Sequence, residues 1–325
     1  MLLPQMSQFR IAVIFSSWML GLSAVGGEMP TTCPSAPNSD AKTLRRLART
    51  AQPDRGFLWE VSKNGRRSFL YGTVHVAKLE WDFPGPTIKA ALNASHQVAV
   101  ELDLADPTLA KRLNAQGREL AERSGARLAS AKRDDLAGRL SVQFRRACLD
   151  EAGFADATLG SKATSLSLLS ARDEGLYPQQ AIDSALVGFA RATGKSVIEL
   201  ETSGAQANAM GGGPDSVERE IERLESGEAR TQLIKLTSAW AAGDFPEIEA
   251  YFSWCHCEQD QAGIRRLLGD RNAVLADRLA DTYETQEGVF AAIGVLHIIG
   301  PESVVERLRS RGYSVLRLTT LPAKP

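Results

Sequence analysis

The sequence predicts an α/β fold: a mixed sheet that opens with an antiparallel hairpin, with helices packed around it and a helical insertion. Three observations carry this expectation. Two alternating stretches, FLWEVS from Phe57 and RSFLYGTV ending at Val74, meet across Lys63-Asn64-Gly65-Arg66, and Asn-Gly is the strongest short-range hairpin signal. Compact apolar strands follow at Gln97 to Leu102 (QVAVEL), Ser196 to Leu200 (SVIEL), Val289 to Leu296 (VFAAIGVL) and Tyr313 to Leu318. Helical spacing fills the intervals, and strands separated by helices call for parallel pairs within one sheet.

Each element has its own signal. Pro86 to Ser95 has helix-like spacing. From Pro107 to about Ala152 apolar residues recur three and four apart among charges, with a break near Gly125. Pro178 to Thr193 reads as a helix ended by Gly194, and Pro301 to Arg311 as one ended by Gly312. Val217 to Leu224, Thr231 to Ala241 and Ala273 to Tyr283 also read as helical. Gly211-Gly212-Gly213-Pro214 is a connection rather than a phosphate loop, because the Gly-Lys-Ser/Thr ending is missing. No Rossmann fingerprint and no repeat of about 20–50 residues is present.

Composition narrows the function. The 325 residues carry 38 Lys+Arg against 39 Asp+Glu, with 43% apolar residues, four Cys and four His. That is ordinary globular composition, and a net charge of -1 gives no field to attract nucleic acid. Arg10 is the only charged residue before Glu28. The apolar run Ile11 to Ala24 is shorter than a membrane span, and Ala24-Val25-Gly26 offers a cleavage site. Residues 1–26 are therefore expected to be a signal peptide, with an uncleaved anchor as the alternative. A flexible leader over 27–44, one domain over 45–319 and a tail over 320–325 complete the expected organisation. Export implies a periplasmic or secreted protein with no stable membrane insertion after cleavage. The oxidising compartment lets Cys33, Cys148, Cys255 and Cys257 pair, and Cys148 with Cys255 or Cys257 is the expected disulfide. Cys255-His256-Cys257 looks like a metal or redox element, yet its spacing fits neither C-x-x-C nor a zinc knuckle, which leaves His256 as a loop residue.

The chemistry gathers at the histidines. Gly72-Thr73-Val74-His75 and Gly294-Val295-Leu296-His297 share one frame. With 27 glycines in the chain, that frame twice among four histidines is roughly a one-in-thirty accident. Each His lies at the carboxyl end of an expected strand, where open α/β sheets form their ligand crevice. Glu101 and Asp103 end QVAVEL, and Glu201 ends SVIEL, at the same edge. Two imidazoles and a carboxylate are the smallest set that holds a divalent cation while leaving a place for water. A second carboxylate can then take a proton. The glycine three residues before each His admits a close approach of backbone or substrate. Asp270-Arg271-Asn272 opens a helix, so Arg271 pairs with a site carboxylate or binds a substrate oxyanion, and Asn272 orients a partner. Asp183 is expected as an exposed first-turn carboxylate. Trp59, Trp81, Trp240 and Trp254 are expected in packing roles.

At these residues the chain resembles the TraB/PrgY/GumN family, which includes the Tiki metalloproteases. The matching pieces are FLWEVSKNGRRSFLYGTVHV, VAVELDL, IDSALVGFARATGKSVIELET, LLGDRNAVLADRL and VFAAIGVLHIIGPESVVERLRSRGYSVLRL, bracketing residues 57–318. The resemblance implies two pseudo-repeated halves, each ending a strand in Gly-x-x-His, and the divalent-metal peptidase activity shown for animal members. It implies His75 and His297 as metal ligands and Glu101 as third ligand or base. Arg271 and Asn272 match the family's Arg-Asn pair, and Glu201 its Leu-Glu-Thr strand end. One departure follows Glu201: the family's acidic, Gln-containing helix is replaced by SGAQANAMGGGPD, which leaves Gln206 without a firm counterpart.

The expected function is an exported metal-dependent hydrolase, a peptidase acting on a peptide or protein with a divalent ion (Zn, Mn or Co). Two alternatives stand beside it: a haem- or metal-binding protein without catalysis, in which two His ligate iron, and a metal-free, esterase-like hydrolase using His and Glu as acid and base.

Overall fold

The computed structural model describes residues 33–34, 39–123, 130–211 and 214–318. The expected signal peptide, the tail, Gly212-Gly213 and the break near Gly125 lie outside them, and of the expected leader only residues 33–34 and 39–44 lie inside. A helix at Ala41–Arg49, capped by the Asp40 side chain, begins within that stretch. No described helix is long and apolar enough to cross a membrane.

One six-stranded mixed sheet organises the chain. Its strands are β1 (Phe57–Lys63), β2 (Arg66–Thr73), β3 (Gln97–Val100), β4 (Ser196–Glu199), β5 (Val289–Gly294) and β6 (Ser314–Leu318), in the order β4-β3-β5-β2-β1-β6. The hairpin β1-β2 closes across Asn64 and Gly65, both at positive φ (+52° and +78°), the turn conformation whose twist matches the strands. β6 runs antiparallel to β1. The other four strands, β4, β3, β5 and β2, pair in parallel, so their carboxyl ends share one edge of the sheet. β5 is buried at every residue, as expected of a strand covered on both sides.

The helices Ile182–Ala192, Glu228–Ala242, Asp270–Thr285 and Val304–Ser310 contribute to the core around the sheet. A second apolar cluster, built from Leu136, Leu140, Phe144, Ala163, Leu166, Val217 and Ile221, belongs to the helical insertion. The long helical stretch of the sequence resolves into Leu109–Arg123 and Ser130–Arg146, and Leu159–Leu168 adds a helix whose weak amphipathicity hid it.

Boundaries moved where a backbone turn intervenes. Pro178–Gln180 forms its own short turn, and Ala181, with ψ 132°, is non-helical and separates it from the helix starting at Ile182. The strand expected to reach Leu296 stops at Gly294, and Val295–Ile298 curls into a 3-10 turn. The expected cysteine pairing was wrong: Cys33 is bonded to Cys148, and Cys255 to Cys257. Cys255 and Cys257, two apart, close on each other, and that leaves Cys148 for Cys33, 115 residues away.

Trp240 fixes the end of β2. Its ring is fully buried 5.7 Å from Trp81, and its indole N–H donates to the Gly72 carbonyl at 2.7 Å. Gly56 makes room for it: with φ +67°, a Cβ there would stand 2.6 Å from the indole nitrogen. Gly56→Ala is expected to destabilise the fold by about 2 kcal/mol or more, because backbone strain and overpacking add. A chemical-denaturation midpoint equal to wild type would show that Trp240 can yield.

Candidate functional site

The four parallel strands deliver the expected residues side by side. β4 leads to Glu201, β3 to Glu101, β5 to His297 and β2 to His75. Backbone bonds from Leu200 N–H to Val100 O (2.8 Å) and Glu201 N–H to Glu101 O (3.0 Å) carry the ladder beyond β3 and β4. Both glutamates therefore start from one level. The turn after β5 folds His297 inward, leaving its side chain 3% exposed.

Gly294 stands at the centre. Its N–H donates to Glu101 Oε1 at 2.6 Å. A Cβ on Gly294 would meet Glu101 Oε1 at 3.2 Å, His75 Nε2 at 3.4 Å and His297 Cδ2 at 3.5 Å. Both imidazoles and the carboxylate thus converge on the space a side chain would fill. Gly72 does different work: there a Cβ would collide with Ile298 of the turn carrying His297, at 2.5 Å.

Each imidazole is anchored from behind. His75 Nδ1 lies 3.2 Å from Asp183 Oδ2, and Thr73 Oγ1 donates to Asp183 Oδ1 at 3.0 Å. His297 Nδ1 lies 2.6 Å from Asn272 Oδ1, while Asn272 Nδ2 donates to the Glu302 carbonyl at 3.0 Å. That second bond fixes the amide, so its oxygen must accept from Nδ1–H of His297. A neutral imidazole has one N–H, so His297 Nε2 carries a lone pair, and it faces Glu101 Oε1 at 3.7 Å.

Arg271 locks the carboxylates. It donates from Nε to Glu201 Oε1 (2.8 Å) and from Nη2 to Glu201 Oε2 (2.5 Å) and Glu101 Oε2 (2.7 Å). Gln206 Nε2 donates to Glu101 Oε2 at 2.8 Å and Glu201 Oε2 at 2.7 Å. These contacts engage Glu101 Oε2 from outside and leave Oε1 turned toward the histidines. The side chains of Glu201, Glu101 and Arg271 are 1%, 4% and 11% exposed. His75, at 44%, forms the open rim.

Protonation follows this geometry. Burial alone would raise the Glu101 carboxyl, but Arg271 foremost, with both histidines and the Gly294 N–H, holds it far below the usual carboxylate range. Burial also works against charge on Arg271, and the two glutamates more than restore it, raising it above the ordinary guanidinium value. His297 is pushed down to about 3 by burial, against the pull of Glu101. For His75 the loss of surrounding solvent is outweighed by Asp183, which raises it to about 9.

Of the residues singled out from sequence, His75, Glu101, Glu201, Arg271, Asn272 and His297 come together. Asp103 does not, since its carboxylate pairs with Arg191 and accepts the Ala105 N–H. Asp183 is corrected from exposed to buried. It lies on the inward stripe Asp183, Leu186, Val187, Ala190 of its helix, and that periodicity could have revealed it. Gln206 is corrected too: Ser203–Gly211 is a helix after all, and Gln206 reaches the centre from it. Its small residues suit the tight fit, with Gly160 against the Gly211 carbonyl and Gly204 against Gln116.

The fold and the edge cluster define a class: an α/β protein with two anchored histidines and paired glutamates at the carboxyl ends of parallel strands. The TraB/PrgY/gumN family model matches residues 57–317, and the chain belongs to that family. No curated protein and no solved structure matches the chain.

Replacing Arg271 with Met leaves two buried carboxylates without their countercharge, and a loss of about 3–5 kcal/mol is expected in urea unfolding. A loss below about 1 kcal/mol would mean the glutamates are solvated. Chelator-treated protein should be most stable between the two histidine transitions. Stabilisation from His75 is complete below the ordinary imidazole value of 6.5 and disappears as pH rises through about 9. The depressed His297 acts oppositely, since below 6.5 the unfolded chain gains a proton that the folded one refuses until about 3. Melting temperatures that rise steadily from pH 4 to 9 would contradict this.

Proposed function

We propose that the protein is an exported metal-dependent hydrolase, peptidase-like in its chemistry, in which His75, His297 and Glu101 hold a divalent cation. The carrying observation is the lone pair of His297 Nε2 facing the ionised Glu101 Oε1 across 3.7 Å in a buried site. Two electron-rich atoms so placed call for a cation between them. Charge points the same way: Glu101, Glu201 and Asp183 outnumber Arg271 and a protonated His75, so the cluster keeps an uncompensated negative charge even with His75 charged. Among the described residues, no group of three or more His, Cys, Asp or Glu stands close enough to hold an ion as it is. The fit therefore rests on donor chemistry, which is that of a two-histidine, one-carboxylate site.

A divalent cation supplies Lewis acidity, bringing water toward ionisation near neutral pH and polarising a carbonyl. The chain does the rest. Asp183 and Asn272 hold the two rings so that Nε2 of each faces inward. Glu101, kept ionised by Arg271 foremost with the histidines and the Gly294 N–H, acts as ligand and counter-charge rather than as proton acceptor, because its carboxyl lies too low to take a proton near pH 7. Arg271 gives Nε and Nη2 to the glutamates and Nη1 to the Leu267 carbonyl at 3.0 Å, so it orients the acids instead of clamping substrate. Substrate approaches from the His75 side, where the site is open. The peptide class rests on the family resemblance, and the export on the apolar segment Ile11 to Ala24 with its small-residue end.

Protein purified without a His tag should contain a stoichiometric divalent ion by elemental analysis and should cleave peptides in a chelator-sensitive way. Cleavage that survives chelation would support the metal-free, esterase-like reading with His and Glu as acid and base. His75→Ala and His297→Ala are each expected to abolish metal retention while unfolding stays cooperative. Glu101→Gln should lower turnover on the order of 10²-fold or more; near-wild-type turnover removes it from the chemistry.

A further inference from the structure

We propose that Cys255 and Cys257 form a thiol–disulfide exchange site for an external dithiol, separate from the histidine and carboxylate cluster. The two disulfides serve different ends. Cys33–Cys148 spans a sequence separation of 115 and removes much freedom from the unfolded chain. Cys255–Cys257 spans a separation of 2 and removes only about a third as much, so the fold gains far less from keeping it closed. Its ring also encloses His256 at φ +52°, one of three non-glycine residues at positive φ among the described residues. Left-handed backbone is unfavourable for a residue with a Cβ, and opening the ring lets His256 leave it.

Access and reclosure are both provided for. His256 is exposed and Cys257 half-buried, whereas Cys255 is buried. The backbone of Cys255 is held without help from sulfur: its N–H donates to the Tyr251 carbonyl at 2.9 Å and its carbonyl accepts from Gln232 Nε2 at 3.1 Å. After reduction Cys255 stays in place with its partner two residues away, ready to close again.

An incoming thiolate attacks Cys257 Sγ, forming a mixed disulfide as the Cys255–Cys257 bond breaks, and Cys255 leaves as a thiolate that takes up a proton. The second thiol of the dithiol attacks its own sulfur in the mixed disulfide and expels Cys257. The dithiol is oxidised by two electrons and the pair is reduced by two. The pair lies upstream of the helix of Arg271 and Asn272 along the chain. Cys257 opens a helical run that passes through Gln261–Ile264 and the wider turn Arg265–Gly269 into Asp270–Thr285.

The test uses the exported protein in mixtures of reduced and oxidised dithiothreitol, quenched with acid, alkylated with a maleimide and mapped by peptide mass. Expected is the gain of two adducts on the peptide bearing Cys255 and Cys257 while near-ultraviolet circular dichroism stays native, and their loss when the oxidised reagent is added. Labelling before any reductant is present, or closure that persists until the protein unfolds, overturns the proposal. A Cys255→Ser variant, retaining the Cys257 thiol, should take up one glutathione from oxidised glutathione at native pH. A folded variant that stays unmodified refutes attack at Cys257. Because the readout is adduct mass, its failure is distinct from failure of the hydrolase reading.

Discussion

The guanidinium of Arg271, shared between Glu101 and Glu201, is the interaction on which the site depends. Two carboxylates buried next to each other repel and resist losing water, and they remain ionised only if a fixed positive group pairs with both. Arg271 meets this demand with planar donors that span the two acids, and Gln206 adds a hydrogen bond to each. The sheet supplies the premise, since bonds continuing from β3 to β4 set the two glutamates level. Without that alignment a single arginine could not serve both.

The histidines obey a parallel logic with different partners. One ring is backed by a carboxylate and the other by an amide, and this difference separates their charge states. Asp183 favours a charged His75 at the rim, whereas Asn272 gives buried His297 orientation without charge. A rim group that gains a proton beside a buried one that refuses it gives the cleft an asymmetry across a few ångströms.

Much of this was legible in the sequence because parallel strands have a fixed polarity. The hairpin followed from Asn64-Gly65, and the shared edge followed from strands that each end in His or Glu. What escaped were features set by tertiary contact. Asp183 sits in a first turn, where acids are normally solvated, and only the stripe it shares with Leu186, Val187 and Ala190 marks it as buried. Gln206 lies in a run of Ser, Gly and Ala whose intrinsic signal for helix is weak, and the helix exists because its neighbours press close to it. The Cys33–Cys148 pairing depended on where a segment near the start of the chain comes to rest, which local pattern does not encode.

The register of β2 against β5 sets the order in which the molecule becomes competent. Gly72 lies beside Ile293 and Thr73 beside Gly294, although more than two hundred residues separate them. A chain emerging from its amino terminus carries His75 early and meets Asp183 well before its end, but Arg271, Gly294 and His297 arrive only with the final third. Whatever reactivity the centre possesses is withheld from a nascent chain that ends before His297, so latency comes from topology alone, with no inhibitory segment required.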